Sequence, residues 1–296
     1  MKTILITGAT SGIGKDLINI LANKNYNLLF IGRNKRKCED LKNFLENTKK
    51  IKTNYYISDF NDLNSVKKMT EKIISNTQKI DALINNAGKV YFSYKKSLDG
   101  IEKSFQINYL SHFLLTSLLI KNNLFTKNSQ IINVSSVAHN PNSSINSLDK
   151  IKNKEFIGKI NFQDINYKNN KFKGFSSLFY SRSKMAQILW TYYLSDIEKN
   201  ISINAIHPGL LGSNVIYENG FLGKIITPFF KLFFKSTAEG AKSIINLLDL
   251  VFEQNLTGKY FDEKIESKSY SYTYNKIHQK KLYEESHKLL EKFIKI

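Results

Sequence analysis

The chain has 296 residues, 42% of them hydrophobic and 23% charged. That balance suits a folded soluble protein and excludes low-complexity and disordered classes. Its formal charge of +19 is spread along the chain without an Arg-rich block or zinc-finger spacing, so no nucleic-acid partner is expected, and a lone Cys38 excludes an internal disulfide framework.

Apolar runs alternate with amphipathic stretches, as a parallel sheet covered by helices requires. Residues 3–7 predict a strand that ends at Gly8, and residues 12–23 carry helical periodicity. A second strand is predicted at 27–31 and a charged helix at 35–47. Further strands are expected at 54–57, 82–84, 131–134 and 201–206, with helices at 63–75, 98–120 and 178–198 between them. Residues 140–174 are rich in Asn, Ser and Lys, have little periodicity, and predict a surface insertion. Past Gly209, residues 221–234 are aromatic and apolar but are broken by Lys224, Pro228 and Lys231. A helix at 238–251, a strand at 260–261 and a charged helix complete the pattern. The expectation is a single domain over 1–296 with a doubly wound Rossmann-type α/β fold. No run reaches the ~20 apolar residues that span a bilayer, and no charged leader with an apolar core opens the chain. The expected location is cytoplasmic or peripheral on an intracellular membrane.

The turn Thr7-Gly-Ala-Thr-Ser-Gly12-Ile-Gly14 follows the first strand and opens the first helix. Gly8, Ser11, Gly12, Ile13 and Gly14 would bring backbone amides and the positive end of a helix dipole close to a pyrophosphate. Without that position the turn would read as an ordinary βα loop. The residue that reads the ribose should follow about 20 residues on, at the end of the second strand. There the sequence runs Gly32-Arg33-Asn34-Lys35-Arg36-Lys37, with no acid before Glu39. Arg33 offers a planar fork for a 2′-phosphate, which favours NADP(H); its bland alternative is a solvated loop residue.

Tyr180-Ser-Arg-Ser-Lys184 opens a predicted helix, and the i,i+4 spacing puts Tyr180 and Lys184 on one face. A phenol with a pKa of about 10 exchanges protons poorly at neutral pH unless a nearby ammonium stabilises the phenolate. The pair alone is a common pattern. Its context is not: Gly8…Gly12-Ile-Gly14, Asn85-Asn-Ala-Gly88, Asn108, Val134-Ser-Ser136, Tyr180…Lys184 and His207-Pro-Gly209 stand in the order seen in the short-chain dehydrogenase/reductase family, which the chain resembles over nearly its whole length. Phe105-Gln-Ile-Asn108-Tyr-Leu-Ser-His112, Val134-Ser-Ser-Val-Ala-His139 and Gly258-Lys-Tyr-Phe261 further resemble its retinol-dehydrogenase-like branch.

The resemblance implies roles. Tyr180 would exchange the proton, Lys184 would hold the nicotinamide ribose and lower the tyrosine pKa, and Ser136 would bond the substrate oxygen, Ser135 being the lesser candidate. Asn108 would hold a water linking Lys184 to solvent. Asn85, Ala87 and Gly88 would line the adenosine side of the cofactor and stabilise the sheet, Asp59 would meet the adenine, and Pro208 and Gly209 would flank the nicotinamide. The substrate implied is a small hydrophobic carbonyl compound or its alcohol. Residues 210–236 would form a lid whose 221–234 stretch can touch a membrane surface, and a homodimer stays open. No His grouping suggests a metal. Two departures limit the transfer of a substrate identity: 44 positions separate Ser136 from Tyr180 (180 − 136), a long gap, and Ser213 stands near where relatives place a Thr. The competing readings are a non-catalytic NADP(H)-binding sensor or scaffold and, on charge alone, a nucleic-acid binder.

Overall fold

The computed structural model describes residues 1–51, 53–91, 93–143, 146, 158–167, 177–210 and 235–294. Eight strands share one sheet: β1 (Lys2–Thr7), β2 (Tyr26–Gly32), β3 (Thr53–Ile57), β4 (Ile80–Asn85), β5 (Phe125–Val134), β6 (Ile201–His207), β7 (Lys259–Asp262) and β8 (Ile265–Ser267). Their order is β3-β2-β1-β4-β5-β6-β7-β8. Every neighbouring pair is parallel except β7 with β8. The chain therefore reverses its direction of growth between β1 and β4, which opens a crevice at the carboxyl ends of those strands.

The helices are α1 (Gly12–Leu21), α2 (Lys35–Thr48), α3 (Leu63–Asn76), a short α4 (Lys103–Phe105), α5 (Ser111–Lys121), α6 (Leu178–Ile197), α7 (Thr237–Gln254), α8 (Lys276–Leu289) and α9 (Glu291–Ile294). Alternation along the strands assigns them to the two faces. Ile4 and Ile6 join a core with Leu17 of α1, Leu41 of α2 and Ile244 of α7. Leu5 faces the opposite core, with Val66 of α3, Phe113 of α5 and Trp190 of α6. This is the doubly wound α/β fold that the sequence predicts. Side chains stop or start several helices: Asp62 Oδ1 accepts from the Asn64 and Ser65 amides, and Ser236 with Glu239 forms a reciprocal capping box.

Some boundaries differ from the expectation. β5 starts at Phe125, ahead of residue 131, because its first turn of sequence is polar and exposed and leaves no hydrophobic signal. The antiparallel edge strand β8 is hidden for the same reason. The predicted helix over 98–120 is a composite: a turn precedes α4, and Gln106–Leu110 is a π-helix in which the Ser111 amide donates to the Gln106 carbonyl. Of the 140–174 stretch, expected to run over the surface, residues 158–167 send Ile160 and Ile165 into the core. The lid residues 211–234, including Ser213, Lys224, Pro228 and Lys231, lie outside the described residues. No helix among the described residues is long and apolar enough to cross a membrane.

Helix α6 is buried nearly all round, with 16 of its 20 residues inaccessible. Part of its cover is α8: the Tyr283 ring lies tilted against Phe113 of α5 at 5.4 Å, and Ser286 bonds Tyr109 at 2.8 Å. Arg182 of α6 is wholly buried and paired with buried Glu102 at 3.5 Å. The guanidinium lies between the Phe105 and Tyr167 rings, 4.5 and 4.0 Å from their centroids, and donates to the Ile165 carbonyl. It thereby ties the described part of the 140–174 stretch to the helix that carries Tyr180 and Lys184. Burial pushes the Glu102 carboxyl up, and Arg182 pulls it back down. Removing one partner of such a pair leaves a buried charge behind. An Arg182→Met chain is expected to lose about 3–5 kcal/mol in denaturant unfolding. Adding Glu102→Gln should return part of that loss; single effects that merely add would show that the two do not act as a pair.

Candidate active site

The cofactor crevice is built from the end of β1. Gly8 has φ +71°, and a Cβ there would stand 2.9 Å from Ala87 Cα. Only glycine lets the turn adopt this conformation and lie directly on the Asn86-Ala87 backbone. A Cβ at Gly14 would fall 2.2 Å from the Gly8 carbonyl oxygen, so α1 packs backbone to backbone on the turn. The helix opens with no side-chain cap from Ser11 and no acidic residue in its first turn. Its first amides therefore keep their hydrogen-bonding capacity and the positive dipole end for an anion. Arg33 stands exposed immediately after β2, and Asn34 caps α2 by accepting from the Lys37 amide. Asp59 follows β3 and accepts the Asn61 amide at 3.0 Å. A phosphate-bearing dinucleotide fits this donor set.

Thr7 joins this end to the next strand. Its Oγ1 accepts the Asn86 and Ala87 amides at 2.9 and 2.8 Å. Asn86 Nδ2 in turn donates to the Thr7 carbonyl at 2.9 Å. The Thr7 hydroxyl also lies 2.9 Å from His112 Nε2, and His112 Nδ1 lies 3.0 Å from the Asn108 carbonyl. A carbonyl only accepts, so Nδ1 carries the proton and Nε2 accepts from Thr7. Burial holds this imidazole neutral, its pKa pushed down to about 3. Thr7, Asn86 and His112 were not singled out from the sequence. Their one signal was a polar residue in an otherwise apolar strand or helix.

Asn108 sits in the π-helical stretch. Its Oδ1 accepts the Lys89 amide, and its Nδ2 donates to the Lys89 carbonyl and to Ser183 Oγ. A Cβ on Gly88 would lie 3.3 Å from Asn108 Oδ1 and 3.8 Å from Lys184 Nζ, so these two groups converge on the Gly88 backbone. Asn85 is wholly buried and bonds Asn133 of β5 and Thr116 of α5 at 2.8 and 3.3 Å, a staple between strands and helix.

At the end of β5, Ser136 caps a 3-10 turn (Val137–His139) by accepting the Ala138 amide. The Ala138 carbonyl accepts from Ser181 Oγ and from Asn146 Nδ2, and Asn146 Oδ1 accepts from Ser177 Oγ at the start of α6. Ser135 Oγ donates to the Lys184 carbonyl at 3.0 Å, and Lys184 Nζ donates to the Val134 carbonyl at 2.7 Å and to Gln187 Oε1 at 2.9 Å. These bonds lock the β5 terminus against the first turns of α6. They set Tyr180 beside Ser136, whose hydroxyl is its hydrogen-bond partner. Lys184 Nζ lies 5.6 Å from the Tyr180 ring centroid. Pro208 and Gly209 are buried at the end of β6, and Gly209 approaches Glu263 after β7.

The electrostatics follow from burial. Desolvation pushes the Tyr180 phenol up, and the Ser136 bond pulls it partly back. Lys184, whose acceptors among the described residues are neutral oxygens, falls from 10.5 to about 7 through desolvation. Among the described residues no group of His, Cys, Asp and Glu could hold a metal ion.

The family model for short chain dehydrogenases matches residues 2–147. Retinol dehydrogenase 13 of Mus musculus is 33% identical over 269 residues, covering 88% of this chain and 75% of that protein. Among solved structures, an uncharacterised protein from Mycobacterium paratuberculosis superposes with a TM-score of 0.71 at 24% identity, covering 98% of this chain and 94% of the other. A short-chain dehydrogenase from Shigella flexneri, solved in complex with NADP, gives 0.62 at 18% identity, with coverages of 89% and 97%.

The depressed Lys184 predicts a pH dependence of stability. Between about 7 and 10.5 the unfolded chain binds a proton there that the folded chain does not. Its contribution therefore favours folding as pH rises through that window and opposes folding as pH falls through it. Denaturant unfolding of the cofactor-free protein should show a flatter stability profile over this range for Lys184→Met than for wild type. Parallel profiles would mean that the ammonium is not held down.

Proposed function

Since this chain belongs to the short-chain dehydrogenase/reductase family and to its retinol-dehydrogenase-like branch, we propose that it is an NADP(H)-dependent oxidoreductase that interconverts a hydrophobic carbonyl compound and its alcohol. The observation that carries this reading is the meeting of Tyr180, Ser136 and Lys184 where α6 locks onto the end of β5, beside the Gly88 backbone.

When bound, the nicotinamide supplies or takes the hydride at the reacting carbon. The amides of Gly12, Ile13 and Gly14 at the uncapped start of α1 would hold the pyrophosphate. Arg33 would pair with a 2′-phosphate through its planar fork. The Shigella flexneri short-chain dehydrogenase of the same fold, solved in complex with NADP, supports that choice. Asp59, Ala87 and Gly88 would border the adenosine, and Pro208 and Gly209 the nicotinamide. Asn85, buried in its bonds to Asn133 and Thr116, acts by fixing β4.

Tyr180 gives its proton to the carbonyl oxygen in reduction and takes it back in oxidation. Ser136 orients that oxygen from the other side. An upward-shifted phenol is fully protonated at neutral pH, which prepares the free chain for reduction. With the cofactor bound, Lys184 would hold the nicotinamide ribose and lower the Tyr180 phenol. Asn108 holds the Gly88-Lys89 backbone against α6 and so keeps the floor of this site in place.

Two substitutions test the assignment. Tyr180→Phe should bind NADPH nearly as wild type does but lose about 10²–10⁴-fold in single-turnover rate on aldehydes or ketones. Retention of more than roughly a tenth of the rate would remove Tyr180 from its role. Arg33→Ala should weaken NADPH roughly tenfold or more by fluorescence titration while NADH changes little. Equal losses for the two cofactors would mean that Arg33 does not read the phosphate.

A further inference from the structure

The two-residue turn Glu263-Lys264 joins β7 to β8, with Asp262 paired to Ile265. Glu263 has φ +55°, in the left-handed region. Tight hairpin turns ordinarily place Gly, Asn or Asp at such a position, because the Cβ of other residues crowds the following carbonyl. Elsewhere in the chain Asn123, Asn128 and Asn255 take the same conformation. A glutamate is unfavourable for the turn itself, and strain of this kind persists where the side chain serves another purpose.

Glu263 is held to the end of β6 by three contacts. Its amide donates to the His207 carbonyl at 2.7 Å, one residue past the last register pair of β6 and β7. Its carboxyl fills the space where a side chain at residue 209 would stand: a Cβ on Gly209 would lie 3.4 Å from Glu263 Cδ and 3.5 Å from Oε1. Gly209 itself has φ +104°, which glycine adopts at little cost. Both carboxylate oxygens accept from Lys235 Nζ, at 2.8 and 2.7 Å. The Lys235 amide in turn donates to the Leu210 carbonyl at 3.0 Å. His207-Pro208-Gly209-Leu210, Lys235 and Glu263 therefore form a closed ring. It grips the Pro-Gly turn before, over and after its glycine.

Folding stability does not account for this ring. The Lys235 and Glu263 side chains are 49% and 35% exposed, and a solvated ion pair contributes little. The left-handed glutamate works against folding. What the ring fixes is the course of the backbone beyond β6. That backbone adjoins the reacting end of the crevice. The Ser135 amide donates to the Ile206 carbonyl at 2.7 Å, so Ser136 and His207 leave the sheet side by side. Val137, His207, Leu210, Lys235 and Glu263 line one cavity of about 580 Å³.

We propose that Glu263 is a positioning residue: anchored by Lys235, it sets the Pro208-Gly209 backbone against which the nicotinamide ring lies when the cofactor is bound. This inference rests on the oxidoreductase reading above. It adds a residue that acts on the nicotinamide end of the cofactor and leaves the adenosine end alone.

The test uses the full chain and two ligands, NADPH and 2′-phospho-ADP-ribose, which lacks only the nicotinamide ring. Calorimetric titration gives the ratio of their dissociation constants, and wild type should bind NADPH the more tightly. Glu263→Gly and Lys235→Met should each shrink that advantage by about fivefold or more while 2′-phospho-ADP-ribose binds as before, and the double variant should do no worse than the more damaging single, since both open one ring. Glu263→Gly should also unfold at the same denaturant concentration as wild type or a higher one, because glycine relieves the left-handed strain. A residue that merely shapes the turn would leave the ratio where it was. An unchanged ratio in both variants overturns the proposal, as do equal losses for the two ligands or a wild type that binds both equally. Should Glu263→Gly fail to fold, Lys235→Met decides by the same ratio. A wild type that binds neither ligand overturns the NADP(H) oxidoreductase reading and the positioning role with it. One that turns over NADPH, with the ratio unmoved in the variants, loses the positioning role alone.

Discussion

Burying an ammonium costs several kcal/mol unless oxygens meet it, and the catalytic end of this protein is arranged around that cost at Lys184. The Val134 carbonyl is free to accept because β5 has just ended, and Gln187 offers its amide oxygen one turn along α6. Meeting the ammonium this way fixes the distance between strand and helix. Ser135 repeats the tie in the opposite sense, from its side chain to the Lys184 carbonyl. Ser136, the next residue, then has little freedom and stands beside Tyr180. Geometry that serves chemistry thus arises from a solvation problem. Both acceptors are neutral, so they meet the ammonium without offsetting the burial that brings Lys184 down to about 7.

A second chain of contacts couples the two ends of the crevice. Thr7 Oγ1 accepts two amides from the Asn86-Ala87 turn and donates a hydrogen bond to His112 Nε2, whose Nδ1 donates to the Asn108 carbonyl. Asn108 grips Lys89 and Ser183. The phosphate turn after β1 and the floor beneath Lys184 are therefore parts of one hydrogen-bonded unit. Thr7, Asn108, His112 and Ser183 in it are wholly buried and hydrogen-bonded, the condition under which a polar network rigidifies a core.

What was legible in the sequence follows the range of each signal. The strand-turn-helix around Gly8 and Gly14 and the one-face placement of Tyr180 and Lys184 are local, so spacing reveals them. The buried central strands read clearly because both of their faces are apolar. The polar start of β5 and the three-residue β8 do not, since pairing by main-chain bonds leaves no mark on side-chain pattern. The contact between Thr7 and His112 spans 105 positions and could not be seen in any window. The acceptor of Lys184 is a backbone carbonyl, which every residue carries and no motif singles out. In the cofactor-free chain desolvation raises the Tyr180 phenol, and a sequence that places a lysine nearby carries no mark of that burial. The π-helical stretch around Asn108 is equally invisible, because Gln106–Leu110 keeps ordinary helical composition while its bonds skip a residue.

Helices α5 and α6 have no polar face of their own, and α8 and α9 supply the missing wall. The bond from Tyr109 to Ser286 joins residues 177 positions apart. During synthesis, then, the glycine turn, the strands β1 to β6 and the helix bearing Tyr180 all leave the ribosome before the segment that shields them. For that interval the apolar side of α6, with Trp190 at its centre, faces water. At typical elongation rates of about 5–20 residues per second the exposure lasts several seconds, which is long on the scale of hydrophobic collapse. The apolar side of α6 is sheltered once α8 and α9 have been made and packed on it.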